Sequence, residues 1–216
     1  RKRGTFTMSW EMAAVLSEVA PRIQRQIYRS ASRGQYVDEL IVGPSGVGYA
    51  FHNYLPNRKA FAQKTAQAMK VSNLSVVTLL KSGGNMTQAR ELLEHPNVLG
   101  AVYKDYAPYH KRRGALDWHN GKPCLSYRYL LWEGMKGASP KEVAAAIKKL
   151  PASPATDPNS YALVNVHAWS WDSIGGPMNA IKQTIDLLPS GTRFVTASQL
   201  LGLLGRHHSE GGRERK

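Results

Sequence analysis

Six short apolar runs, each about five to seven residues long, alternate along this chain with segments whose apolar residues recur at helical spacing, and this alternation constrains the fold most strongly. The runs cover residues 36–42, 74–80, 98–103, 123–127, 161–167 and 192–196; the helical patterns cover 9–31, 57–70, 86–94, 140–150, 178–188 and 197–204. Strands separated by helices of this length predict right-handed βαβ crossovers. The expected fold is therefore α/β with a mainly parallel sheet, open or partly closed into an irregular barrel. The compact, β-branched run from Leu74 to Leu80 reads as a strand buried on both faces. Ser9 is the expected N-cap of the first helix, and Pro21 its expected interruption.

The length of 216 residues, 42% of them hydrophobic, is enough for one well-packed core. The reading is a single α/β domain over 8–204, residues 1–7 as a disordered or interdomain remnant, and 205–216 as a disordered basic tail. The start at Arg1-Lys2-Arg3-Gly4 predicts a piece of a longer chain with another domain upstream. An export signal upstream would make it extracellular or periplasmic. Cys124, the single cysteine, has no internal disulfide partner. No apolar run approaches the roughly 20 residues of a membrane-spanning helix.

The 29 Lys and Arg against 15 Asp and Glu give a net charge of +14, which raises the question of a polyanionic partner. Removing residues 1–3 and 206–216 leaves 22 against 13, or +9, and the remaining basic residues are scattered apart from Lys111-Arg112-Arg113. Nucleic acid is therefore not the expected partner, because that function needs clustered charge.

In parallel α/β sheets ligands bind beyond the carboxyl ends of the strands. The segments so selected are Gly43 to Phe51, Lys81 to Asn85, Lys104 to Tyr109, Arg128 to Trp132, His167 to Asp172, and Thr196. The turn Gly43-Pro44-Ser45-Gly46-Val47-Gly48-Tyr49 ends in neither Gly-Lys-Ser nor Gly-Lys-Thr, and Phe51 stands where the dinucleotide fingerprint needs glycine. Ser45, Asp105 and His167 follow the Ser, Asp, His order of α/β-hydrolases, but Val47 breaks the Gly-x-Ser-x-Gly elbow.

Residues 103–119 are dense in rings and acids, among them Asp105, Tyr106, Tyr109, Asp117 and Trp118. Such a surface suits sugars: C–H faces stack on Trp and Tyr, and two carboxyl groups serve as acid and as base or nucleophile. Asp105 and Asp117 are the expected pair, with Glu133 and Asp172 in reserve. At the end of the fifth run, His167 breaks an apolar stretch and is followed by Trp169 and Trp171. His167 is thus expected to orient or hydrogen-bond substrate. Ser45, Tyr49, Tyr106, Tyr109, Trp118, Arg128 and Trp169 are the expected substrate-binding residues. His52, His95, His110, His119 and His167 show no HxxxH or HxxE spacing, and His207-His208 lie in the tail, so no metal and no cofactor are expected.

Taken together, these segments resemble the C-terminal domain of the GxGYxYP family, which is associated with glycoside hydrolysis and sugar processing. The name motif corresponds to Gly46-Val47-Gly48-Tyr49-Ala50-Phe51-His52, with Phe51 in place of tyrosine and His52 in place of proline. The resemblance extends through Ser9-Trp10, Ala20-Pro21, Pro44-Ser45, Asp105-Tyr106, Tyr109, Trp118, Gly121-Lys122-Pro123, Leu131-Trp132, Val164 to Trp169 and Val195-Thr196. It implies a sugar-active domain with a carbohydrate substrate. Because Phe51 lacks the hydroxyl and His52 lacks the backbone constraint, a noncatalytic carbohydrate-binding or scaffold domain derived from such an enzyme is the alternative.

Overall fold

The computed structural model describes residues 4–81, 85–105 and 113–209, with Lys81 and Asp105 described as backbone only. In chain order the elements are β1 (Met8–Met12), α1 (Leu16–Val19), α2 (Pro21–Ser30), β2 (Asp38–Val42), α3 (Arg58–Val71), β3 (Val76–Lys81), α4 (Arg90–Leu93) and β4 (Gly100–Asp105). They continue with β5 (Leu116–His119), β6 (Lys122–Ser126), β7 (Tyr129–Leu131), α5 (Pro140–Ile147), β8 (Val164–Val166), α6 (Pro177–Asp186) and α7 (Ala197–His208). The chain divides into two compact units, one of Arg1–Lys111, Leu116–Ser126 and Phe194–Lys216, the other of Arg112–Ala115 and Tyr127–Arg193.

The first unit carries a six-stranded sheet in the order β1-β2-β3-β4-β6-β5. All neighbours are parallel except β5, which runs antiparallel to β6. The sheet is open, since its terminal strands β1 and β5 do not pair with each other, and this resolves the choice between an open sheet and a barrel. Val76, Val77, Leu79, Ala101, Val102 and Tyr103 are buried, as central strands covered on both faces require. Helices supply Ala62, Ala66, Met69, Leu92 and Leu93, and α7 adds Leu200, Leu201 and Leu204. Gly100 admits α7 closely, because a Cβ there would stand 3.0 Å from Leu201 Cδ1 and 2.8 Å from the Pro123 carbonyl oxygen.

Four local expectations are corrected. The segment 9–31 opens as the strand β1, paired in register with β2 from Met8↔Asp38 to Met12↔Val42, and Pro21 starts α2 at its first turn. Trp10, Met12 and later apolar residues do recur at helical spacing, but cross-strand bonds decide the outcome: Trp10 Nε1 donates to Asp38 Oδ1 at 2.8 Å and Ser9 Oγ to Glu39 Oε2 at 2.6 Å. The stretch 116–119, outside the six apolar runs, is β5, joined to β6 by Asn120 and Gly121, with positive φ of 52° and 71°. Asn-Gly is the two-residue hairpin signal. Finally, 192–196 is not a strand; Thr196 caps α7 through a capping box with Gln199. Ser9 Oγ also accepts from the Ala197 amide and Glu39 from that of Ser198, so β1 and β2 help satisfy the free amides of that helix. Residues 205–208, placed in the tail by the sequence reading, continue α7.

The second unit is built on β7 and β8, a parallel pair in the register Tyr129↔Val164 to Leu131↔Val166. Leu131, Val143, Trp171 and Ala180 form its core, with Ile147, Val166 and Ile181 packed around them. A capping box, Ser139 with Glu142, starts α5.

Candidate functional site

In the second unit the ladder continues one residue beyond the strands, where the His167 amide donates to the Leu131 carbonyl at 2.9 Å. That bond sets the residues after the two strands side by side. The rings of Trp132 and His167 stack at 3.7 Å with planes 4° apart, and Trp169 meets His167 edge to face at 5.8 Å and 67°. Trp169 is 88% exposed, an unusual position for the largest apolar ring. Burial lowers the His167 pKa from its ordinary value, so the imidazole is neutral at neutral pH. Its Nδ1 is buried with no hydrogen-bond partner among the described residues.

Glu133, next in sequence to Trp132, points its carboxylate at the following turn. It accepts from the Trp171 amide at 2.6 Å and from the Ser173 hydroxyl. The Ser173 hydroxyl, and after it the amides of Trp171, Ser173 and Asp172, hold the Glu133 carboxyl below the usual carboxylate range against the opposing effect of desolvation. An ionised Glu133 thereby fastens Trp171, which has φ 82° and is 5% exposed. A bulky residue in the left-handed region needs such a hold. The result is an aromatic shelf of Trp132 stacked on His167, with Trp169 exposed beside it and an anionic clasp at the neighbouring Glu133.

In the first unit, the turn after β2 is organised differently. Ser45 is fully buried, with φ 60°. Its amide donates to Thr78 O at 2.8 Å, and its hydroxyl both accepts from Leu80 N at 2.6 Å and donates to Leu80 O at 3.2 Å. Ser45 therefore fastens the turn to β3, and its hydroxyl faces backbone. Gly46, with φ 85°, could carry no Cβ, which would lie 2.3 Å from Thr65 Oγ1. From this turn the chain emerges as a row of rings: Tyr49 and Phe51 meet edge to face at 6.2 Å, as do Phe51 and Tyr54, with Tyr49 67% and Tyr54 70% exposed. His52 is buried beside Phe61, 3.8 Å from Glu91, which Arg58 pairs at 2.9 Å.

The strands fix the backbone positions of the two expected acids. Asp117 lies opposite Cys124, and Cys124 opposite Ala101, four residues before Asp105 on β4. At about 3.3 Å per residue and about 4.8 Å per strand, the two aspartate backbones stand on the order of 15 Å apart. Asp117 pairs instead with Arg90 at 3.2 Å. The Asp105 backbone ends β4, its side chain lies outside the described residues, and so do Tyr106 and Tyr109. Trp118 is half-buried on β5, opposite Pro123. Arg128 donates to the carbonyl and side-chain oxygens of Asn159 at 2.8 and 2.9 Å. Asp172 is exposed at the start of a short turn.

A carboxylate missed by the sequence reading is Glu11. It leans over Gly43, where a Cβ would be 2.7 Å from its carboxyl carbon, and pairs with Lys104 of β4 at 2.5 Å. Reading 9–31 as one helix concealed it; the alternation of Met8, Trp10 and Met12 was the available signal. Among the described residues, no group of three or more His, Cys, Asp and Glu is arranged to hold a metal ion, and no helix is long and apolar enough to cross a membrane.

The fold is similar to that in a crystal structure of a putative hydrolase from Bacteroides thetaiotaomicron VPI-5482, with a TM-score of 0.84 and 24% identity over 95% of this chain. This chain spans 40% of that protein's length. No curated protein matches the chain. The sequence profile of the family described as GxGYxYP putative glycoside hydrolase C-terminal domain matches residues 1–204, and the chain belongs to that family.

Proposed function

We propose that this domain binds a glycan on its exposed strand-end rings and takes part in hydrolysing a glycosidic bond. The observation that carries the reading is the shelf of Trp132 and His167, stacked at 3.7 Å, ending in Trp169 at 88% exposure. A tryptophan 88% exposed leaves ring face open for the C–H side of a pyranose. Neutral His167 offers a hydrogen-bonding nitrogen to a sugar hydroxyl. Within the same unit Arg128 is a further candidate contact; Tyr49, Trp118, Tyr106 and Tyr109 are candidate contacts that belong to the first unit by themselves. Ser45 contributes indirectly, by fixing the turn that presents Tyr49.

For cleavage, one carboxyl group protonates the leaving oxygen while another acts on the anomeric carbon directly or through water. Asp105, at the carboxyl end of β4, is the first candidate for the acid. Asp117 is the weaker second member, being paired with Arg90 and distant along the sheet. Turnover and binding on a panel of neutral and acidic glycans test the reading, comparing the wild type with Asp105→Asn and Trp169→Ala. Loss of turnover with binding retained in Asp105→Asn supports catalysis at that residue; unchanged turnover removes it. Binding unaffected by Trp169→Ala removes the shelf.

The second reading, a noncatalytic carbohydrate-binding or scaffold domain, is favoured by one observation. Two of the four acids selected from sequence are already engaged, Asp117 with Arg90 and Glu133 with the Trp171 turn. Tight binding without turnover of any glycan in the panel is its expected signature.

A further inference from the structure

The basic residues that look scattered in sequence are partly gathered by α2. Arg22, Arg25 and Arg29 are all exposed, and at 3.6 residues per turn they fall within an arc of about 60° along one side of the helix. No ion pair among the described residues includes them. The helix itself, Pro21-Arg22-Ile23-Gln24-Arg25-Gln26-Ile27-Tyr28-Arg29-Ser30, contains no acid.

Local helix physics does not explain the row. A cation in the first turn opposes the helix dipole, so Arg22 is unfavourable where an acid would help, and only Arg29 near the C-terminus gains from it. A different side of the helix is held by polar anchors: Gln24 Nε2 donates to Ser72 Oγ at 2.8 Å, and the Tyr28 hydroxyl donates to the Ser72 carbonyl. The arginines therefore stand on an anchored element, and their mutual repulsion is unrelieved within it.

We infer that this face of α2 binds an anionic polysaccharide, with the guanidinium groups of Arg22, Arg25 and Arg29 pairing successive carboxylate or sulfate groups. Guanidinium pairs such oxyanions bidentately. Gln26, exposed beside the row, supplies an amide for a sugar hydroxyl. The inference rests on the sugar-directed reading above, which selects an acidic glycan over other polyanions.

The test uses the full chain and polygalacturonate, with a neutral glucan as control, measured by affinity electrophoresis and calorimetry at stepped salt. The wild type is expected to bind polygalacturonate at least tenfold more weakly at high salt than at low salt, with neutral-glucan binding insensitive to salt. R22Q/R25Q/R29Q is expected to weaken polygalacturonate binding at least tenfold and to leave the neutral glucan unaffected. Glutamine keeps helix propensity close to that of arginine. The corresponding triple lysine variant should retain part of the binding. Unchanged binding in the glutamine variant, no binding of polygalacturonate by the wild type, or a preference for duplex DNA or anionic vesicles overturns the inference. If the neutral glucan binds through Trp169 while any of these holds, the sugar-directed reading survives; if neither polymer binds, both fail.

Discussion

The turn after β2 and the shelf after β7 and β8 both follow strand carboxyl ends, yet they use their side chains in opposite ways. At the first, Ser45 is fully buried and bonded to the Leu80 peptide on both sides. At the second, Trp169 is 88% exposed and its support comes from a neighbouring ring. A polar residue turned inward satisfies backbone groups and fixes geometry; an apolar residue turned outward has no folding role that requires its position. The lesson is that lying in a strand-end segment selects both supports and contacts, and burial separates them.

The sharpest way to break this contrast is at Gly46, where a side chain would meet Thr65 Oγ1 at 2.3 Å with φ at 85°. Gly46→Val is expected to destabilise the fold by about 3 kcal/mol, read from chemical denaturation. A loss below about 1 kcal/mol would mean that the turn is not held as described. Next, Ser45→Ala leaves the buried Leu80 amide without its acceptor and should cost about 1–3 kcal/mol. If stability were unchanged while glycan binding fell, Ser45 would be a contact after all.

On the shelf the expected pattern reverses. Trp169→Ala should change stability by less than about 0.5 kcal/mol. Glycan binding should weaken roughly tenfold, about 1.4 kcal/mol. An equal effect on folding would merge the two regions into one structural class.

His167 adds a pH dependence. Its folded pKa is lowered, so the unfolded chain takes up this proton first as pH falls below about 6.5. Stability from the neutral imidazole is present above that pH and is lost as pH falls towards the folded value. His167→Gln should flatten this acidic slope in denaturation curves, and identical slopes would count against it. The smallest effect is expected at the half-exposed pair of Asp117 and Arg90, where Asp117→Asn should cost no more than about 1 kcal/mol. A larger loss, measured by thermal unfolding, would show the pair to be structurally central.

Much of the fold is legible in the sequence where burial is two-sided. The run Leu74 to Leu80 becomes β3 and the run near Val98 to Tyr103 becomes β4, because a strand covered on both faces must be apolar throughout. Edge strands are harder to read. In β1 Met8, Ser9 and Trp10 are all half-buried, and Trp10 and Met12 fit helical spacing as well until Asp38 and Glu39 supply partners. The short strand β7 was seen only as a strand-end segment, since its three residues carry too little periodicity.

For the site, Trp169 and His167 were both selected from sequence, because a polar break in an apolar run followed by alternating tryptophans is a local pattern. The spacing of Asp105 and Asp117 across the sheet was not legible in this way. Those residues are close in sequence, but the chain between them reverses direction through β5, which sets Asp117 four residues back along the sheet. Trp132 and Glu133 join His167 through the β7–β8 register, and Glu11 meets Lys104 across the sheet.

The sequence by itself determined the α/β class, the central strands, the glycine-rich turn and the family resemblance, because periodicity, glycine placement and motif order are properties of neighbouring residues. Tertiary structure alone decided that the sheet stays open, that Ser45 faces inward, that Glu133 is a clasp, and that Arg22, Arg25 and Arg29 share one exposed arc on α2. The physical reason is that burial and pairing depend on which distant segments meet, and a side chain's role follows from what it meets there.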